Sequence, residues 1–338
     1  MLEDCIHVLD AKTSHDLFGV QEKRSKIIYR RLARAVHPDL YPEADKKTAE
    51  KAFIRLTELW ESHLNKTADP LSGGTASSNT IKTKRHNYSI GDKTEANGMY
   101  SRYHATYDAG FETCDILVTN NPADADLTSA HISALKKLAS DVPEKFRGFY
   151  PELVESFRYR TPANTDHAAL AVKVPEGFSP FSKILEVYPE GIDGRDVAWI
   201  FKRMLTAVGN AHDAGLIHGA PNLDSFLIHP ELHGVILSDW QYSVEAGNPL
   251  KAVSENFKSD YPAYVFNKVN AGYSLDINLC AKTAKRLLRP DAPRQFNAFF
   301  RACELNKTLE AKYLLKEFDD LLERLYGKPA FHPFTLDK

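Results

Sequence analysis

Residues 211–243 read AHDAGLIHGAPNLDSFLIHPELHGVILSDWQYS, and the organisation of most of the chain follows from this stretch. Just before it, Val197, Phe201, Met204, Val208 and Ala211 fall on one face at helical spacing. This spacing predicts a helix, with Gly215 as its stop. Two short apolar runs, Phe226–Ile228 and Val235–Leu237, predict strands on either side of a turn at 229–234. His229 and His233 have a spacing that would suit a metal only on a helix. They flank a turn and lack further ligands, so no metal site is predicted.

Working outward, strand-like segments lie around Ser101–Thr106 and Cys114–Thr119. A last helix carries Leu314, Leu315, Phe318, Leu321, Leu322 and Leu325 and ends at Gly327. Strands first and helices later predict an α+β fold, without alternating β–α units. At 338 residues the chain has room for about two domains. Apolar residues make up 43% and charged residues 26%, which excludes wholesale disorder. The net charge of −2 excludes a generic polyanion binder. There is no internal repeat and no apolar run long enough to cross a bilayer, so no membrane partner is expected. Residues 1–10 carry Glu3 and Asp4 where a secretory leader would be basic. Cys5, Cys114, Cys280 and Cys303 are far apart, and the simplest expectation is a reduced, cytoplasmic protein.

The segment KTADPLSGGTASSNTIKTKR, Lys66–Arg85, has almost nothing apolar to bury and reads as a flexible linker. The predicted organisation is therefore a small all-α unit at 1–65, a linker at 66–86 and a larger unit at 87–338. In the first unit, Ile28, Tyr29, Leu32, Ala33 and Val36 form one helical stripe. Ala49, Ala52, Phe53, Leu56, Leu59 and Trp60 form a second. With a short connection these predict a helical hairpin, its first helix ended by Pro38. Between Gln21 and Val36 six basic residues face one acidic residue, and Lys26, Arg30 and Arg34 recur on one face. Such a face steers an acidic partner. No aromatic stacking platform accompanies it, so nucleic acid is not an expected partner.

The run DLFGV, YRRLARAVHPDLYP and AEKAFIRLTELW resembles the J domain of DnaJ-type co-chaperones. Leu17, Gly19, Tyr29, Leu32, Ala33, Ala52, Phe53 and Leu56 match, together with His37-Pro38-Asp39. The resemblance implies a partner: a heat-shock ATPase chaperone of the DnaK type, engaged through His37, Pro38 and Asp39 and through Lys26, Arg30 and Arg34. Asp39 would meet an arginine of that ATPase, while His37 alone could simply cap its loop. The match departs from the family in the short stretch between Val20 and Ser25 and in lacking a basic helix after Trp60.

From about Tyr88 to Leu325 the chain resembles a protein kinase, with the quoted stretch as catalytic and metal-binding loops. His218 falls on the histidine of H-R-D, Asp239 on the aspartate of D-F-G, and Tyr261-Pro262-Ala263 on a degenerate A-P-E. Asp276 resembles the helix aspartate that holds the catalytic loop, and Gly98 a surviving glycine of the phosphate-covering loop. The working charges are missing. Leu117 stands within a residue or two of the phosphate-binding lysine, and no lysine occurs from Thr94 to Leu135. His131 stands near its glutamate partner, and Leu127–Ser140 contains no acid. Ala220 replaces the general base, Asn222 the loop lysine and Ser225 the metal-binding asparagine. Phosphoryl transfer depends on those charges, so no catalytic residue is predicted and the kinase-like domain is expected to be inactive.

His218 and Asp276 are then read as fold-ordering residues, with Asp239 capping backbone donors at a turn. No cofactor is expected; ATP–magnesium would have only Asp239 with Asp224 or Ser225 to hold it. The leading expectation is a J-domain co-chaperone whose kinase-like domain serves as a platform for an unknown protein client. The competing readings are an atypical active kinase, nucleotidyl transferase or nucleotide-binding regulator targeted by the J domain, with Lys93 and Asp224 as the candidate lysine and base, and a non-catalytic scaffold.

Overall fold

The computed structural model describes residues 2–11, 17–18, 22–67, 80–96, 99–161, 165–305, 310–328 and 330–336. The chain divides into two compact units, Met1–Ser78 with Arg160–Thr165, and Asn79–Tyr159 with Asp166–Lys338. Residues 68–79, most of the expected linker, lie outside the described residues, as do Gly19, Val20 and Gly98.

In the first unit, α1 (Leu2–Asp10), α2 (Glu22–Ala35) and α3 (Glu43–Thr67) surround one core. The two expected stripes supply Leu32 and Val36 from α2 and Ala49, Ala52, Leu56 and Leu59 from α3, all buried. The expected hairpin is incomplete, because α1 adds Cys5 and Val8 to the same core. Arg55 of α3 ties it further, donating to the Ala11 carbonyl at 3.1 Å. The seam between α2 and α3 leaves one apolar flank uncovered, and α1 closes it. Tyr29 stacks on Trp60 with ring centroids 4.6 Å apart, and Phe18 meets Trp60 edge-on at 5.2 Å.

The second unit begins with a curled sheet of β1 (Thr80–Lys82), β2 (Asn87–Ala96), β3 (Tyr100–Tyr107), β4 (Glu112–Thr119), β5 (Glu152–Arg160) and β6 (Asp166–Lys173). Their spatial order is β1-β2-β3-β4-β6-β5. The pairs from β1 to β4, and β4 with β6, are antiparallel. β1 lies within the stretch read as linker, so order starts before the expected boundary at 87. Ile81 explains this, since its side chain is buried. The curl brings the two ends of the sheet together: Thr83 donates to the Glu155 carboxylate at 2.7 Å, and the Tyr88 hydroxyl donates to it at 3.1 Å.

Helix α4 (Ala125–Asp141) separates β4 from β5. After the sheet come β7 (Ser179–Pro180), α5 (Ser182–Val187), α6 (Gly194–Asp213) and β8 (Leu216–Ile217). β9 (Phe226–His229), β10 (Gly234–Leu237) and β11 (Val244–Glu245) follow, and then α7 (Ala263–Phe266), α8 (Tyr273–Leu287), α9 (Arg294–Leu305) and α10 (Ala311–Tyr326). α6 is the axis of this part. Its whole apolar face, from Val197 to Ala211, is buried, and Phe201 sits among Phe299, Phe300 and Phe318. Gly215 and Gly327 adopt φ of +75° just past α6 and α10, the left-handed stop that glycine makes without strain. β9 and β10 pair antiparallel across the predicted turn.

Candidate functional site

The first unit presents an acidic tip. α2 ends at the residue pair before Pro38, because proline disfavours helical geometry in the residue preceding it. His37 is extended (φ −65°, ψ 126°), and Pro38–Leu40 forms one 3-10 turn. The His37 Nδ1 accepts from the Asp39 amide at 3.3 Å, so this histidine does cap its loop. The Leu40 amide donates to the His37 carbonyl at 3.0 Å, and the Tyr41 hydroxyl donates back to the Ala35 carbonyl at 2.8 Å. The His37 ring also lies edge-on to Phe53 at 5.5 Å.

These bonds leave the Asp39 side chain 80% exposed, with the His37 ring nitrogen 3.6 Å from its carboxylate. Arg30 and Arg34 are exposed on α2; Lys26 lies on the same helix with its side chain outside the described residues. Sequence reading missed a shallow depression of about 490 Å³ beside the tip, lined by Ala33, Arg34, His37, Leu40 and Phe53. Leu40 is 58% exposed there, and an exposed leucine directly after the tripeptide was the available signal.

In the second unit the residues around His218 form one hydrogen-bonded frame. Asp276 on α8 is fully buried. It accepts from the backbone amides of His218 at 2.8 Å and Gly219 at 2.9 Å, and its Oδ2 lies 3.0 Å from the His212 Nε2. The His218 Nε2 reaches the Ser238 carbonyl at 2.7 Å and therefore carries the proton, leaving Nδ1 to accept from the Ala220 amide at 3.1 Å. Burial pushes the His218 pKa below its ordinary value, partly offset by Asp276. Gly219 has φ of +81°, and a Cβ there would lie 2.7 Å from the Tyr242 carbonyl oxygen.

The loop after His218 binds itself. Asn222 Oδ1 accepts from the amides of Asp224 and Ser225 at 2.8 and 3.1 Å, and its amide nitrogen donates to the Ala220 carbonyl at 2.9 Å. The Ser225 hydroxyl donates to the same carbonyl at 2.9 Å. Ala220, Asn222 and Ser225 are all buried, and Asp224 is exposed. Trp240 fills the space beside His218, edge-on at 4.6 Å, and donates to the Leu237 carbonyl at 2.8 Å.

Leu117 is buried on β4, opposite Arg102 of β3 and Leu170 of β6. His131 of α4 is buried within 3.4 Å of the Tyr100 hydroxyl, and burial lowers its pKa to about 3. A neutral imidazole and a leucine therefore stand where the resemblance places a charged pair. Asp239 does not cap its turn as expected. It has a left-handed backbone (φ 62°), makes no side-chain bond to the following turn, and lies 3.7 Å from Arg102. Arg102 is also 3.7 Å from Asp115, so one guanidinium bridges two carboxylates. Arg102 thus sets a positive charge beside the Asp239 carboxylate. Lys93 is exposed on β2.

One further anchor was not read from sequence. Asp260, just before Tyr261-Pro262-Ala263, accepts both Arg286 guanidinium nitrogens at 2.6 Å. Tyr261 is buried, and its hydroxyl accepts from the Ser254 amide at 3.1 Å.

No family model and no curated protein matches the chain. Among solved structures it is similar to the crystal structure of the BubR1 kinase domain, with a TM-score of 0.57 and 14% identity. The likeness covers 80% of this chain and 91% of that one. The chain thus contains a kinase-like fold. No described helix is long and apolar enough to cross a membrane. Among the described residues no cluster of three His, Cys, Asp or Glu could hold a metal.

Proposed function

We propose that the protein is a J-domain co-chaperone that stimulates ATP hydrolysis by a heat-shock chaperone, and that its kinase-like domain is an inactive platform for a client or partner protein. The observation that carries this reading is the exposed Asp39 carboxylate on a loop fixed by Pro38, His37 and Tyr41, next to the basic face of α2. A carboxylate held in this way suits bidentate capture of an arginine, and the nearby Arg30 and Arg34 suit attraction to an acidic surface. The inactive-platform half is supported by Leu117 and a neutral His131 in place of an ion pair, and by Arg102 standing against Asp239. Phosphoryl transfer without a phosphate-binding lysine, a base and a free metal site loses its main sources of rate.

The experiment is single-turnover ATPase of a DnaK-type chaperone with the full chain. Wild type should accelerate hydrolysis, and His37→Gln should not. Equal rates with wild type and His37→Gln would remove the co-chaperone reading.

A further inference from the structure

A cavity of about 1060 Å³ opens beside the curled sheet, and none of His218, Ala220, Asn222, Ser225 or Asp239 lines it. Its floor is apolar, formed by Leu135 and Leu138 of α4, Tyr150, Leu153 and Ile236. One wall is β5, the last strand in the sheet order, which carries no further strand among the described residues. A free strand edge offers a row of backbone donors and acceptors to an added chain.

The rim is basic. Lys84, Arg85, Lys136, Arg147 and Lys173 line the cavity with two carboxylates, Glu152 and Glu155. Glu155 is buried and already accepts from Thr83 and Tyr88, so it is turned inward. Lys173 is paired with Glu112. Lys84, Arg85 and Lys136 are exposed and have no ion partner among the described residues. Three free cations thus stand around an apolar floor next to an open edge. A volume this large is at the upper limit for a small ligand, roughly 1,000 Å³, and an extended chain fits a site with one wall made of strand.

We propose that this groove docks an extended, acidic peptide segment of a partner protein. The segment adds along β5, places alternate apolar side chains on the Leu135–Leu153 floor, and sets its carboxylates against Lys84, Arg85 and Lys136. Nucleic acid is disfavoured because Glu152 faces the same space and Tyr150 is too buried to serve as a stacking platform. The proposal names the binding surface of the platform reading and rests on it, but it does not involve the His37–Asp39 tip.

The test pans a display library of random short peptides against the full chain, then measures binding of the enriched sequence as a labelled synthetic peptide. The enriched sequences should alternate acidic and apolar residues. Added salt should weaken binding, and the combined Lys84→Glu, Arg85→Glu, Lys136→Glu variant should weaken it at least about tenfold with unchanged melting temperature. Amides of residues 152–156 should exchange more slowly in the complex. His37→Gln should bind the peptide as wild type does; peptide binding by a wild-type chain that stimulates the chaperone no more than His37→Gln does would leave the groove standing and remove the co-chaperone reading. The proposal is overturned if no peptide is enriched, if the enriched set has no acidic bias, if the triple charge reversal leaves affinity unchanged, or if a single-stranded oligonucleotide of equal charge competes equally well.

Discussion

Replacing Asp276 with asparagine should show how much of the second unit's stability rests on one buried carboxylate. Asp276 Oδ2 serves the His218 amide and His212 Nε2, while Oδ1 serves the Gly219 amide. The least costly placement of an asparagine keeps its oxygen at the Oδ2 position. Its amide group then points at the Gly219 N–H, which is left buried and unbonded at a cost of about 1–3 kcal/mol. The two remaining bonds become neutral and lose roughly half their strength, about 1 kcal/mol each. The sum, about 3–5 kcal/mol, corresponds to a fall in melting temperature of roughly 6–20 °C for a unit of this size.

Asp239→Asn is the matched control. Its carboxylate faces Arg102 at 3.7 Å and is partly exposed, whereas Asp276 is fully buried, so the loss should be smaller than that at Asp276. Urea unfolding followed by tryptophan fluorescence suits both variants, because Trp240 lies against His218 and reports this loop. Losses of equal size at the two positions would refute the reasoning that Asp276 carries the frame and Asp239 does not.

Three further outcomes follow from the same geometry. His131 and His218 are buried neutral, with folded pKa values below the ordinary histidine value. The unfolded chain takes up protons first as pH falls below about 6.5, so each group should remove stability at up to about 1.4 kcal/mol per pH unit there and nothing above it. A melting temperature that is flat between pH 7 and about pH 5, or equally steep after His131→Leu, would contradict this. Gly219→Ala should destabilise by about 2 kcal/mol or more, measured by thermal melting, because its positive φ and the Tyr242 carbonyl both oppose a side chain. Millimolar ATP–magnesium should leave the melting temperature unchanged; a ligand at a hundred times its dissociation constant would add about 2.7 kcal/mol, and a shift of that size would revive the active-kinase reading.

Much of the architecture was legible because its signals are local. Val197 to Ala211 repeat with helical spacing, Gly215 and Gly327 mark stops, and Phe226–Ile228 with Val235–Leu237 bracket a turn; each of these depends on neighbours within a few residues. The stripes through Leu32 and Leu56 were legible for the same reason. Helix α1 was not read, since a nine-residue amphipathic segment is below the length at which periodicity is decisive, and only packing of Cys5 and Val8 stabilises it. Asp239 was misread as a turn cap because a carboxylate next to a turn usually finds backbone donors. Its partner, Arg102, comes from a distant strand and is brought into range by the sheet.

By itself, then, the sequence determined several of the helices and strands, where the basic face and the His37-Pro38-Asp39 tripeptide fall, and that no lysine lies between Thr94 and Leu135. Such properties are carried by residue type and short-range spacing. Only the tertiary structure decided that Arg102 would stand between Asp115 and Asp239, that Asp276 would hold the His218 and Gly219 amides, and that the curl of the sheet would leave a basic groove beside β5. Charge pairing and cavity shape depend on distances between segments far apart in the chain, and those distances are set when the cores close.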